Sequence, residues 1–178
     1  IEVPDIREIE LSPVDKYLAF WVPEKDNVPA KVSVMEIPSK QVIRERHLYS
    51  VSDVSLFSSL GLGFVCVSYL DASPQIKLHW HNTGDFLCVK MNRQKTKKTP
   101  STVFEIFRLR EKNVPVEDLE LDDKVVAFAW EPNGIRFAVM YNGNSGNTIA
   151  FYAVRPKELK LLCKFVCSFF LILVEEGL

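Results

Sequence analysis

His79 and His81 flank Trp80, and on an extended strand this spacing sets both imidazoles on one face, as two ligands of a shared metal ion would be. No third ligand follows at matching spacing, so the pair reads better as two ordinary polar side chains on the outer face of a sheet. Cys163 and Cys167 lie four apart without a His or another Cys beside them, which makes them apolar filler rather than a metal knuckle. With Cys66 and Cys88 they read as free thiols of a cytosolic protein. Five acids, Glu117, Asp118, Glu120, Asp122 and Asp123, crowd into seven residues. Without a flanking His they suggest a solvated edge strand and loop, whose charge opposes edge-to-edge pairing. A Gly-rich phosphate loop, a Gly-x-Ser-x-Gly elbow and a His-Glu-x-x-His helix are all missing from the sequence. No catalytic residue, cofactor, metal or small-molecule substrate is therefore expected.

One cluster suits binding. Lys90, Arg93, Lys95, Lys97 and Lys98 place five cations in nine residues, running from the end of a strand into a loop. Their mutual repulsion is tolerable in water or against an anionic partner, and phosphate contacts by such side chains give salt-dependent, sequence-tolerant affinity. The plainer reading is a charged hairpin loop that keeps the chain soluble. Trp21 is a candidate stacking platform for a base, but packing in a core or at a sheet edge accounts for it better.

The whole chain is no general nucleic-acid binder. Its 178 residues are 47% apolar, and 22 basic against 23 acidic side chains leave a net charge of -1, whereas such domains carry a marked excess of Lys and Arg. Apolar stretches fall short of the roughly 18 residues a bilayer requires. The longest uncharged run, Val54–Leu70, contains four Ser and two Gly, and Phe165–Val174 is ten long. No membrane association is expected. The first residues show no basic or apolar leader, which reads as a chain starting within a longer protein.

The elements that must position these residues recur. Ile9–Trp21, Leu78–Lys90 and Phe128–Met140 each begin with a short apolar strand, pass through a Pro, Asn, Asp or Gly turn, and enter a second apolar and β-branched strand, which is hairpin grammar. Gly84 and Gly134 each follow a Trp by four residues, at a turn position expected to need φ > 0. A second strand pair follows each hairpin: Val32–Ile37 with Gln41–Arg46, Val103–Leu109 with Val114–Leu121, and Thr148–Val154 with Leu159–Phe165. Four strands per unit at a period of roughly 40 to 50 residues is the signature of a β-propeller blade. Trp80 and Trp130 are 50 apart, whereas Leu11, the equivalent in the first unit, precedes Trp80 by 69; setting aside the 22 residues 54–75 restores a repeat of 47. Trp80 and Trp130 are expected to wedge between neighbouring blades, each indole N–H finding an acceptor.

The expected organisation is an all-β, incomplete β-propeller of about three four-stranded blades. Residues 1–53 form one blade, 54–75 an inserted segment outside the repeat, 76–125 a second blade, 126–162 a third, partial blade, and 163–178 an apolar tail. The inserted segment alternatively forms a hairpin of its own, since Phe64–Tyr69 has a strand's composition. Its clean fall between two matching blocks fits retained non-coding sequence or a mispredicted gene, which a transcript splicing Asp53 directly to Ile76 would support. An open stack of three blades has two uncovered faces, so the isolated chain is expected to be aggregation-prone or only marginally folded.

Nine segments in order, Ala19–Glu24, Pro29-Ala30, Lys77–Trp80, Gly84–Lys90, Glu105–Arg108, Arg110–Glu117, Phe128–Gly134, Arg136–Val139 and Phe151-Tyr152, resemble the b-type subunits of eukaryotic translation initiation factor three. The likeness covers residues 1–53 and 76–162. It departs at Leu11 and Val14-Asp15, where that family has a Trp and a Gly-containing turn. The resemblance implies a cytoplasmic, non-enzymatic scaffold whose propeller docks on the small ribosomal subunit, protein and ribosomal RNA, and whose partners are other subunits of the initiation factor complex. The basic run is then the candidate ribosomal RNA contact. The family's RNA-recognition domain, and its C-terminal segment that holds other subunits, have no counterpart in these residues. Two other functions fit the architecture: an accessory propeller gating a peptidase or other hydrolase, and a generic protein-interaction propeller.

Overall fold

The computed structural model describes residues 2–48, 76–96, 99–143 and 146–167. Segment 54–75, Lys97, Lys98 and the tail beyond Cys167 lie outside the described residues. Within them the chain is all β, twelve strands in three four-stranded antiparallel meanders.

The first sheet runs β1 (Glu8–Leu11), β2 (Tyr17–Val22), β3 (Ala30–Glu36), β4 (Val42–Leu48), in that order. The second runs β5 (Ile76–Trp80), β6 (Phe86–Thr96), β7 (Thr99–Arg108), β8 (Val116–Leu121), and the third β9 (Val125–Trp130), β10 (Arg136–Gly143), β11 (Gly146–Arg155), β12 (Glu158–Cys167). The third sheet has all four strands, and β12 extends past residue 162: Cys163 pairs with Phe151 and Cys167 with Asn147. Residues 163–167 thus belong to the sheet rather than to a tail, because the long β11 offers its backbone groups to them.

The first hairpin turn is built to one plan in each sheet. The N–H of Ser12, His81 and Glu131 donates to the carbonyl of Tyr17, Phe86 and Arg136 respectively, at 2.8–3.0 Å. Asp15 (φ 53°) and Gly84 (φ 70°) hold the left-handed position of their turns. Asp tolerates that region through its short polar side chain, so the first turn forms without a glycine. Gly134 differs from expectation, since its φ is not in the left-handed region. An added Cβ there would meet only the carboxylate end of the flexible Glu131 side chain, which is paired with Arg136, so neither backbone angle nor packing accounts for this glycine. At Gly84 an added Cβ would lie 2.5 Å from Val14 Cγ2 in the first sheet's turn. Gly84→Ala is accordingly expected to lose about 1–3 kcal/mol through left-handed strain and this clash. Urea melts measure the loss, and pairing it with Val14→Ala should return only the steric share.

The second sheet is buried on both faces. Leu87, Val89 and Met91 on β6 and Val103 and Phe107 on β7 pack against Tyr17, Ala19, Trp21, Val32 and Val34 of the first sheet. The alternate residues Cys88, Phe104 and Ile106 pack against Phe137, Val139, Tyr141, Tyr152 and Val154 of the third. A strand covered on both sides needs apolar residues at consecutive positions, which is why β6 and β7 do not alternate. The first and third sheets each join one core only. The far face of the third, carrying Ala129, Ala138, Phe151, Leu162, Cys163 and Phe165, lines an open apolar cavity of about 440 Å³.

Candidate functional site

The chemistry-bearing side chains gather where the second and third sheets meet. His81, 2% exposed, accepts the Thr83 N–H at Nδ1 (3.2 Å), and its Nε2 lies 3.0 Å from the Glu131 carbonyl. A carbonyl only accepts, so Nε2 carries a proton and the ring joins one sheet to the next. Thr83 Oγ1 donates to Asp85 at 2.8 Å, completing the chain of contacts. His79 stacks on Phe128, and burial, then the charges of Lys90 and Lys77, hold its pKa below the usual imidazole value. Both histidines therefore face the third sheet rather than an outer surface, because β9 covers that side of β5. Groups of three or more potential metal ligands are not found among the described residues.

Trp130 meets His81, Phe86, Phe128 and Phe137 with ring centroids 5.3–6.0 Å apart, and its indole donates to the His79 carbonyl at 3.0 Å. Trp80 packs against the core between the first and second sheets, but its buried N–H meets no acceptor among the described residues. One indole thus finds a partner and the other does not, since only the Trp130 ring reaches a carbonyl. Trp21 is buried in that same core and donates to Glu8 at 3.3 Å, so its ring is not a stacking platform.

The acidic run is built into the joints rather than simply solvated. Glu117 bonds the buried Arg108 at 2.6 Å and accepts the Lys157 N–H at 3.1 Å, while Asp118 bonds Arg46 of β4 at 3.2 Å. Arg46 also meets the buried Glu105 of β7 at 3.4 Å. β8 is an edge strand, yet it lies beside β4 and β12, so its carboxylates meet cations and N–H donors. Among the cysteines, Cys88 is buried, and burial raises its thiol well above the usual range; Cys163 is exposed.

Lys90 is half-buried on β6 and donates to the Val125 carbonyl at 2.9 Å, because it points into the joint with the third sheet. Arg93 and Lys95 continue β6 toward the hairpin tip, with Arg93 in register with Ser101. Lys97 and Lys98, between β6 and β7, lie outside the described residues. Lys77 and Lys124, which come from other strands and stand apart from the basic run in sequence, lie near Lys90.

A family model described as eukaryotic translation initiation factor eIF2A matches residues 69–169, more than half of the chain. The chain belongs to that family. The match to this eIF2A-family model begins within 54–75 and runs past residue 162. The B-type subunit of eukaryotic translation initiation factor 3 from Drosophila melanogaster is 35% identical over 183 residues, covering 94% of this chain and 23% of the relative. That of Xenopus laevis is 39% identical over 156 residues, covering 87% and 20%. The likeness to the b-type subunits of initiation factor three is borne out by these proteins, and the chain spans less than a quarter of their length. The β-propeller domain of the trilobed protease from Pyrococcus furiosus superposes with a TM-score of 0.51 at 12% identity, over 90% of this chain and 43% of that one. Hydrazine synthase from Kuenenia stuttgartiensis gives 0.51 at 14%, over 83% and 40%. These structures share the fold alone, and the three sheets of the eIF2A-family chain are propeller blades. Among the described residues no helix is long and apolar enough to cross a membrane.

Proposed function

We propose that these blades are a rigid, non-enzymatic wall of a translation initiation factor, one that holds the small ribosomal subunit and other subunits of the factor complex. The carrying observation is the identity with the B-type subunit of initiation factor 3 across nearly the whole chain. The architecture supports it. Blades joined by aromatic and ion-pair contacts present edges and loops in fixed positions, which lowers the ordering cost of docking. The long β6–β7 hairpin carries Arg93 and Lys95, with Lys97 and Lys98 between its strands in sequence, and supplies cations for ribosomal RNA phosphates.

Co-sedimentation with purified small ribosomal subunits tests the reading. Binding should weaken as salt rises, and reversing Lys95, Lys97 and Lys98 to Glu should lower it about tenfold or more at low salt. Failure of the unaltered chain to pellet with small subunits at any salt concentration would sink the proposal.

A further inference from the structure

A second cationic feature lies at the joint of the second and third blades. Lys77 of β5, Lys90 and Asn92 of β6, Lys124, Val125 and Val126 at the start of β9, and Asn142 of β10 line a cavity of about 360 Å³. Three lysines and two asparagines line it, and no carboxylate is among the lining residues. Asp122 and Asp123 precede Lys124 in the chain, but neither reaches the lining. Burial, then repulsion from Lys77 and Lys124, pulls the Lys90 pKa below the usual lysine range. Concentrating like charge in a recess of a chain that is nearly neutral overall costs free energy unless an anion completes it. Lys90 is held in place by its bond to the Val125 carbonyl, which leaves two of its three N–H donors for a ligand.

We propose that this recess between the second and third blades binds a backbone phosphate of RNA through Lys77, Lys90 and Lys124, with the amides of Asn92 and Asn142 as further donors. An RNA strand is chosen over a single small anion because it is the polyanion that the ribosome-docking reading above supplies. The site rests on the ribosome-docking reading above and gives it a specific contact. It also draws on four separated stretches of sequence from two blades, so it exists only when the two blades are packed together.

The test measures fluorescence anisotropy of a labelled 20-nucleotide single-stranded RNA with the full chain over a salt series. Lys77→Glu with Lys124→Glu should weaken binding at least tenfold at low salt and flatten the slope of log affinity against log salt by about 0.7, the share of the one phosphate that the recess holds. The neutral pair Lys77→Gln with Lys124→Gln should lose less affinity but flatten the slope equally, and melting temperatures matching the parent's show that the fold is kept. Reversing Lys112 and Lys160, exposed residues outside the recess, changes net charge identically and should alter affinity less than twofold. Equal losses in the recess and control variants, or no RNA binding by the unaltered chain, would overturn the site. Co-sedimentation separates the two claims: small subunits still pelleted by the parent while recess variants bind RNA normally would remove the recess and leave the docking reading intact.

Discussion

Trp130→Ala is expected to lower the stability of the chain by about 2–4 kcal/mol, somewhat below the range for a fully buried large aromatic because the ring is half-buried against the core. Five aromatic or imidazole rings meet at this position, and the indole supplies a hydrogen bond from the third blade to the His79 carbonyl of the second. Small domains have total stabilities of only about 5–15 kcal/mol, so such a loss removes much of what holds the blades together. For a chain of this length it corresponds to a fall in Tm on the order of 10 °C. Trp130→Phe keeps a ring and forfeits the donor, and should lose less, about 1–2 kcal/mol. Thermal and urea melts of the two variants measure both shares. A Tm for Trp130→Ala within 1–2 °C of the parent would mean that other contacts, not this ring, join the second blade to the third.

Arg108→Met should have a comparable effect with a distinctive pH dependence. Arg108 is 6% exposed and holds Glu117 at 2.6 Å and Glu111 at 3.0 Å. Burial raises the Glu117 pKa above the usual carboxylate value, while the guanidinium pulls it back down. Removing the cation leaves the desolvation without its main opposing charge, and breaking a buried pair from one side costs about 3–5 kcal/mol. The sign follows from linkage. A carboxyl whose pKa is higher in the folded state than in the unfolded one binds its proton more readily when folded. Its stabilising share is present below the unfolded value and disappears as pH rises through the folded one. The variant should therefore be weakest at neutral pH and regain stability relative to the parent on acidification toward about pH 4–5. Adding Glu117→Gln should restore most of the loss at pH 7 and remove that relative gain. A deficit that is the same at pH 5 and pH 7, and unchanged by Glu117→Gln, would show that the ion pair does not govern this position.

The repeat was readable because its markers are local. A short apolar strand, a turn with Asp15, Gly84 or Gly134, and a second apolar strand lie within about thirteen residues of each other, and hairpins are decided at that range. What covers each face is decided elsewhere in the chain. His79 and His81 read as surface residues because the β9 aromatics that bury them are about fifty residues away. Gly134 and Gly84 look alike in sequence, but only Gly84 takes a left-handed backbone angle. The acidic run looked solvated because Arg46 and Arg108, which meet two of its members, belong to other strands. The basic run was visible as a cluster, yet its first residue, Lys90, turns into a joint where Lys77 and Lys124 stand close by. Charge patterning along one segment carries no information about such meetings between segments.

The second blade touches both of its neighbours, whereas the first and third each share a core only with the second. Stability in such a stack behaves as a sum of intrinsic unit energies and nearest-neighbour couplings, as in a short one-dimensional Ising array. Among these three blades, opening the first or the third breaks one of these couplings, while opening the middle one breaks both. Amide protection should thus be graded, greatest in β6 and β7, and transient opening of the third blade would expose the Phe104 side of the second without dissolving the rest.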